Sequence, residues 1–331
     1  MRALPLEHPA SPASGLRHRG AALVRTREAT VVAFIAVLGL YLEVATGRFL
    51  TSDNLANILL SSAGTAVVAA GMTLVILTGG IDVSVGSMLG VASVAVGYAA
   101  AAGFGLLPVV LVGLAAGTVL GSLNGVLIAY GGIMPIIATL GTLNILRALT
   151  FQLLRAKWIS DLPPTLAPLG LGLVLRVPVA AWVAFGIVLV FVYLTTRRPL
   201  GRHIYAIGGN VEAARLAGID LVRVTLLVYA ATGMLVGAAS LLYVGQTGIV
   251  QSNTGVGFEL QVIAAVVLGG TSILGGRGSV AGSALGALLV AQIKNGLTLL
   301  NISGLAEGMV SGALILLAVG GDLLRMRGRR S

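Results

Sequence analysis

The chain reads as an all-α polytopic membrane protein of about ten transmembrane helices, built as an inverted repeat with both termini in the cytoplasm. Three observations predict this. Hydrophobic residues make up 57% of the sequence and charged residues 10%, with a mean hydropathy of +1.01, whereas soluble domains carry about 25% charged residues. Ten apolar runs are long enough to cross roughly 30 Å of hydrocarbon. The basic residues gather in alternate connecting segments rather than along any one face.

In chain order, residues 1–28 are Pro-, Ala- and Arg-rich and read as a disordered cytoplasmic tail, with no small-residue cleavage site after the apolar run that follows. The runs fall at 30–46, 55–78, 83–102, 106–128, 136–154, 179–196, 222–244, 258–275, 280–300 and 305–321. Residues 29–324 are thus one transmembrane domain, with a basic tail at 325–331. The third and fourth runs are separated only by Gly103 to Leu107. If the N-terminus is inside, inner segments hold most of the arginines. The outer loops hold only Arg48, Arg155, Lys157 and Arg176, which is the orientation positive charge favours. A net charge of +10 therefore orients the protein in a membrane and implies no nucleic-acid partner. The 47 glycines are about twice the usual share, and small residues let helices approach closely in lipid. There are no cysteines, which excludes disulfides and thiolate metal ligands.

Two internal correspondences compete. Gly80 to Val85 matches Gly257 to Val262 at an offset of 177, and Asn124-Gly125 matches Asn295-Gly296 at 171. These pairs fall on runs of opposite direction, an inverted repeat of the kind many transporters use. The alternative sets Gly79 to Gly90 on Gly275 to Gly286 at a constant offset of 196 and gives a parallel repeat. The inverted reading is preferred.

The longest polar interruption, residues 197–219, lies on the cytoplasmic side. Asn210 is placed to cap a short helix, Val211 to Ala217. Glu212 and Arg215 suit its dipole, and Gly218 supplies a left-handed stop. So short a helix needs a surface to pack on. The outer segment Trp158 to Pro178 is Pro-rich and reads as an ordered cap over the outer mouth.

Asp82 and Ser84 open the third run after Gly79-Gly80, and either cap that helix or line a path; the two are compatible. Glu259 repeats this logic at the eighth run. Asn124, Asn144, Gln246, Gln261, Gln292 and Asn295 offer paired donors and acceptors suited to a neutral polar solute, or else hold helices together. Asp82, Ser84, Asn124, Asn144, Glu259, Gln261 and Asn295 are the candidate path residues. Arg147, toward the outer end of its run, can snorkel to the interface, and Lys294 is placed to pair with Glu307. No His, Cys or acid cluster has metal-ligand spacing. No Gly-Lys-Ser/Thr phosphate loop exists, and no nucleophile–His–acid set, so the chain is not expected to be an enzyme or to bind a cofactor.

These residues carry a resemblance. Gly71-Met72-Thr73-Leu74 through Gly79-Gly80-Ile81-Asp82-Val83-Ser84-Val85-Gly86-Ser87 is similar to the hallmark of ribose-type sugar permeases of binding-protein-dependent ABC importers. Asn124-Gly125, Ile137 to Thr142, Gly201-Arg202 through Asn210 to Ile219, Ala264 to Thr271 and Gly275 to Ser279 resemble the same family in order. The match runs from about Leu50 to Asp322, and Lys157 to Pro164 looks most like autoinducer-2 and rhamnose permeases. The resemblance implies a permease subunit paired with a second permease chain in the lipid membrane. Cytoplasmic ATP-binding subunits would hydrolyse the ATP, and a periplasmic binding protein would deliver a sugar. It implies that Gly201 to Gly218 is a coupling loop resting on the ATPase, through Arg202, Gly208, Gly209, Asn210, Glu212, Ala213, Arg215 and Gly218. An ion-coupled secondary transporter is the alternative, and a membrane scaffold or receptor subunit a third reading.

Overall fold

A computed structural model describes residues 13–302 apart from 156, together with 308, 309, 312 and 313; side chains are described from residue 28 onward. Among the described residues the fold is helical, with one two-stranded hairpin. Helix α1 (Ala13–Thr46) begins within the stretch read as a disordered tail, so that segment is helical from Ala13 on. It is followed by α2 (Ser52–Leu77), α3 (Val85–Ala101), α4 (Leu106–Ala129) and α5 (Pro135–Leu154). A 3-10 turn (Pro164–Leu166), α6 (Ala167–Gly170) and the hairpin β1–β2 (Leu173–Val174, Val177–Pro178) lead into α7 (Val179–Arg197). Then come α8 (Pro199–Gly209), α9 (Val211–Leu216), α10 (Leu221–Thr247), α11 (Phe258–Leu268) and α12 (Val280–Leu299).

Seven of these helices are long and apolar enough to cross a membrane. Two of the ten expected spans form shorter helices: α3 has 17 residues and α11 only 11, about 25 Å and 16 Å of helix, short of the hydrocarbon thickness. Residues 269–275, read as the end of the eighth span, belong instead to a Gly-rich turn that continues to Ser279. The run at 305–321 lies largely outside the described residues.

The two short helices have one cause. After α2 ends at Leu77 the chain turns back inward, and Gly80 packs against Tyr229, eight residues into α10. Helix α3 then starts inside the slab. At the opposite face, residues 248–257 turn inward from the end of α10 in the same way, and α11 starts beside Gly86 of α3. The N-termini of α3 and α11 thus meet head-on in the interior, approached from opposite faces. Irregular backbone at this depth survives only where protein covers it.

The packing follows the inverted correspondence. Helix α2 packs on α12 as α10 packs on α4, α3 on α10 as α11 on α2, and α3 on α4 as α11 on α12. This equates α3 with α11, not with α12 as the offset of 196 would require. The α4–α10 contact is the most extensive, and glycine is the reason. Gly113, Gly117 and Gly121 lie one above another on α4 and face Gly233 and Gly237 of α10. A Cβ on Gly117 would fall on the Gly233 carbonyl, and one on Gly233 would fall on the Gly117 carbonyl. Bare backbones in contact replace the hydrophobic drive that lipid does not supply. The main core lies between α2, α3, α10 and α11, where Met72, Ile76, Met88 and Leu235 are fully buried.

Two faces can be named from this. The basic face carries α8, α9, the α2–α3 turn and the α11–α12 turn. The loop face carries residues 155–178 and 248–257, joined by a bridge between Ile159 and Val250. The 158–178 segment is ordered there, with Leu166 buried and Gly170 against the Gly245 backbone of α10.

Candidate functional site

On the half of the molecule nearer the loop face, α2, α10, α11 and α12 diverge and leave a polar cleft. It consists of two adjoining chambers of about 290 Å³ and 360 Å³. Leu60, Ser61, Thr65, Gln246 and Gln261 line both and so form their common wall. The larger chamber adds Asn57, Lys294, Asn295 and Thr298. The smaller adds Asn253, Gly255, Val256 and Phe258 from the inward-turning loop before α11. Amides and hydroxyls at this density give donors and acceptors on several sides, and no carboxylate is among the lining residues. Below Thr65 the floor is closed, because α2 is buried without a break from Ala66 to Leu77.

Of the candidate path residues, Gln261 and Asn295 are on this cleft. Asn295 exchanges two amide hydrogen bonds with Asn54, donating at 2.7 Å and accepting at 3.1 Å, which ties the end of α12 to the start of α2. Asp82, Ser84 and Asn124 form a separate cluster, all fully buried and lining neither chamber. The backbone N–H and hydroxyl of Ser84 donate to Asp82 Oδ1 at 2.9 and 2.6 Å. Asn124 donates to Ser84 Oγ at 2.8 Å. The capping reading is refined accordingly: Ser84 occupies the cap position of α3 without a side-chain cap bond, and Asp82 accepts the N–H that precedes the helix. Asn144 is exposed on α5 and donates to its own helix at Leu140, away from the cleft. Gln292, buried, donates to Ile35 and joins α12 to α1.

Glu259 sits where the positive ends of α3 and α11 meet, its carboxylate against Gly86, which is where a negative charge is favoured. Its Oε2 is buried without a hydrogen-bond donor. Arg147 lies within electrostatic reach and does not snorkel. Its guanidinium turns inward and donates to the Thr254 carbonyl at 2.9 Å, with a longer contact to Gly255 at 3.4 Å. Arg147 therefore clamps the loop that walls the smaller chamber. The sequence contained a signal for this, an arginine inside an apolar run, but nothing in it said that backbone carbonyls would be within reach. The expected partner of Lys294, Glu307, lies outside the described residues.

At the basic face the expected caps are present. Asn210 Oδ1 accepts from the Ala213 N–H at 3.0 Å, Gly218 has φ +80°, and Glu212 and Arg215 form an exposed pair at 3.3 Å. Val211 and Leu216 project from α9 into solvent, Leu216 with 81% exposure. Arg202 is exposed and Ala213 and Gly209 face open space.

Gly208 faces inward. A Cβ there would fall on the Leu77 carbonyl and stand 2.5 Å from the Gly276 nitrogen; those two groups are themselves hydrogen-bonded at 3.0 Å. Helix α8 is therefore seated on the end of α2 and on the turn before α12 together. Tyr205 of α8 donates to the Gly278 carbonyl at 2.8 Å. Ser279 caps α12 and donates to Glu28 of α1 at 2.6 Å. Burial, and next the nearby Glu28 carboxylate, push the Tyr205 phenol above its ordinary pKa, so it remains a donor throughout the physiological range. Among the described residues no group of His, Cys, Asp and Glu could hold a metal ion.

Residues 54–319 match the family described as the branched-chain amino acid transport system permease component. Curated relatives include the ribose import permease protein RbsC of Escherichia coli K12, 38% identical over 291 residues covering 86% of this chain and 91% of the relative. RbsC of Haemophilus influenzae is also 38% identical, over 83% of this chain and 86% of its own. The autoinducer 2 import system permease protein LsrC of Yersinia pseudotuberculosis is 36% identical over 88% and 83%. No solved structure matches.

Proposed function

The chain belongs to the ABC importer permease family typified by those relatives and is a multi-pass protein of the inner membrane, and on that premise we propose that it carries a small sugar or sugar-like solute, powered by a separate ATPase. The observation that carries this reading is a coincidence of helices. The inner end of α2 and the turn that leads into α12 meet at Gly208 of α8, and the far halves of these two helices wall the polar cleft. A push on α8 is thereby delivered to the walls of the solute site.

In this reading the basic face is cytoplasmic, in keeping with its arginines. Val211, Leu216 and the Glu212–Arg215 pair of α9 meet the ATPase, α8 is the lever, and the cleft opens toward the periplasm to receive solute from a binding protein. A second permease chain completes the membrane part. With the floor closed by α2, the arrangement corresponds to an outward-open state, and ATPase closure or opening would tilt α2 and α12 to exchange the open face.

The cleft favours a sugar over the amino acid in the family's description. A zwitterion would call for an anion and a cation in the site, whereas the lining offers amides, hydroxyls and Lys294 without a carboxylate. The same lack weighs against an ion-coupled carrier, which needs coupling acids along its path. The test is uptake into vesicles holding the assembled importer, with ribose and autoinducer-2 as probes. Uptake is expected only with binding protein and hydrolysable ATP; uptake that continued unchanged without ATP would refute the reading.

A further inference from the structure

The β1–β2 hairpin carries a feature that packing within the chain does not explain. At its tip Leu175 and Arg176 both have positive φ, +54° and +63°. Two-residue hairpin turns of this kind favour Asn or Gly, and a bulky residue with positive φ is uncommon. Leu175 is nevertheless 84% exposed, and Leu173 and Val174 behind it are also exposed. Trp182, one turn into α7, donates its indole N–H to the Val174 carbonyl at 3.3 Å. The hairpin is therefore folded down beside the first turn of α7 instead of standing away from it. Below Trp182 the exposed column of α7 continues through Phe185 and Leu189 to Tyr193, a lipid-facing surface with an aromatic residue at each end, as membrane-spanning helices carry. The apolar tip is continuous with that surface. No acidic residue occurs between Asp161 and Glu212, so no carboxylate is close to Arg176 in the chain.

We propose that the Leu173–Pro178 hairpin is a lipid-seated anchor, with Leu175 at the acyl-chain border and Arg176 on phospholipid phosphates. Strain at the tip is retained because it aims an apolar side chain at the membrane while the neighbouring guanidinium reaches the headgroups. The anchor fixes one end of the 158–178 segment, whose other end bridges to Val250 beside the cleft wall.

The absence of cysteine permits a direct test. Leu175→Cys carries an environment-sensitive fluorophore in the assembled importer, reconstituted in vesicles of phosphatidylethanolamine and phosphatidylglycerol. Leu189→Cys serves as the lipid reference and Ser160→Cys, exposed at the loop face, as the water reference. The expected result is blue-shifted emission at position 175, quenched by lipids bearing a nitroxide near the headgroup, approaching the lipid reference. Arg176→Glu is expected to move the signal toward the water reference, and Arg176→Lys to leave it in place. A water-like signal at 175 overturns the proposal. A signal that becomes apolar only on adding binding protein also overturns it and assigns the tip to that protein. Disulfide-linked dimers of Leu175→Cys overturn it in favour of a second copy. The readout needs neither ATP nor solute, so its failure is separable from failure of the importer reading.

Discussion

Adjacent glycines in α8 offer a matched pair of perturbations. A methyl added at Gly208 would coincide with the Leu77 carbonyl, whereas one added at Gly209 meets nothing within 4 Å. Relieving the first overlap requires α8 to retreat by roughly 1.5–2 Å, since ordinary contacts begin near 3.4 Å. That retreat lengthens the 2.8 Å bond from Tyr205 to Gly278 and loosens the buried side chains of Ile204 and Ile207. Overpacking of this size costs about 1–3 kcal/mol, and it falls on the seat of α8 at the basic face, leaving the long apolar helices in place. Gly208→Ala is therefore expected to insert normally, to bind the ATPase, and to lose roughly 10-fold or more of its solute uptake per ATP hydrolysed, following the tenfold per 1.4 kcal/mol relation. Gly209→Ala is expected to behave as the native chain, or to be slightly more stable through reduced backbone entropy. Uptake and ATP hydrolysis measured side by side in vesicles decide the matter. Equal behaviour of the two variants would refute the seat on Leu77 and Gly276.

Other consequences can be checked with simpler assays. Arg147→Ala removes a charged hydrogen bond worth about 1.5–3 kcal/mol from the wall of the smaller chamber, so half-maximal uptake should need about 10-fold more solute; Arg147→Lys, lacking the planar fork, should recover only part. An unchanged concentration dependence in well-assembled Arg147→Ala would exclude the clamp. Asn210→Ala loses the cap of α9, about 1 kcal/mol, and should weaken ATPase capture about 5-fold in a binding titration, with Asn210→Ser restoring it. Gly117→Ala forces apart the α4 and α10 backbones and should lower the unfolding temperature in detergent, whereas Gly186→Ala, whose site is open, should not.

Much of the architecture was legible from hydropathy because a long apolar run has few alternatives to a membrane helix. The cap at Asn210 and the stop at Gly218 were legible because both are local. The two short helices were not: Gly79 to Asp82 and Gly255 to Glu259 mark breaks, but how far the chain turns inward depends on Tyr229 and Gly86, which are distant in sequence. The cleft was half legible. Gln261 and Asn295 could be picked out as amides, yet Asn124 looked equivalent and is instead spent on Ser84 and Asp82. The inward turn of Arg147 escaped for the same reason, since its acceptors are backbone carbonyls that no side-chain pattern reveals. The α4 glycines, spaced four apart, were visible in the sequence, but their partners Gly233 and Gly237 became meaningful only once α10 was known to cross them.

The central claim is that α8 moves the cleft through α2 and α12. Asn57 of α2 and Thr298 of α12 both line the larger chamber, and in a chain without cysteine each can be replaced by a uniquely spin-labelled cysteine. The distance between the two labels, measured in the assembled importer with and without bound ATP, tests the claim. The account predicts a nucleotide-dependent change in that distance, abolished by Gly208→Ala and retained in Gly209→Ala. A distance that ignores nucleotide in a complex that still transports would contradict it.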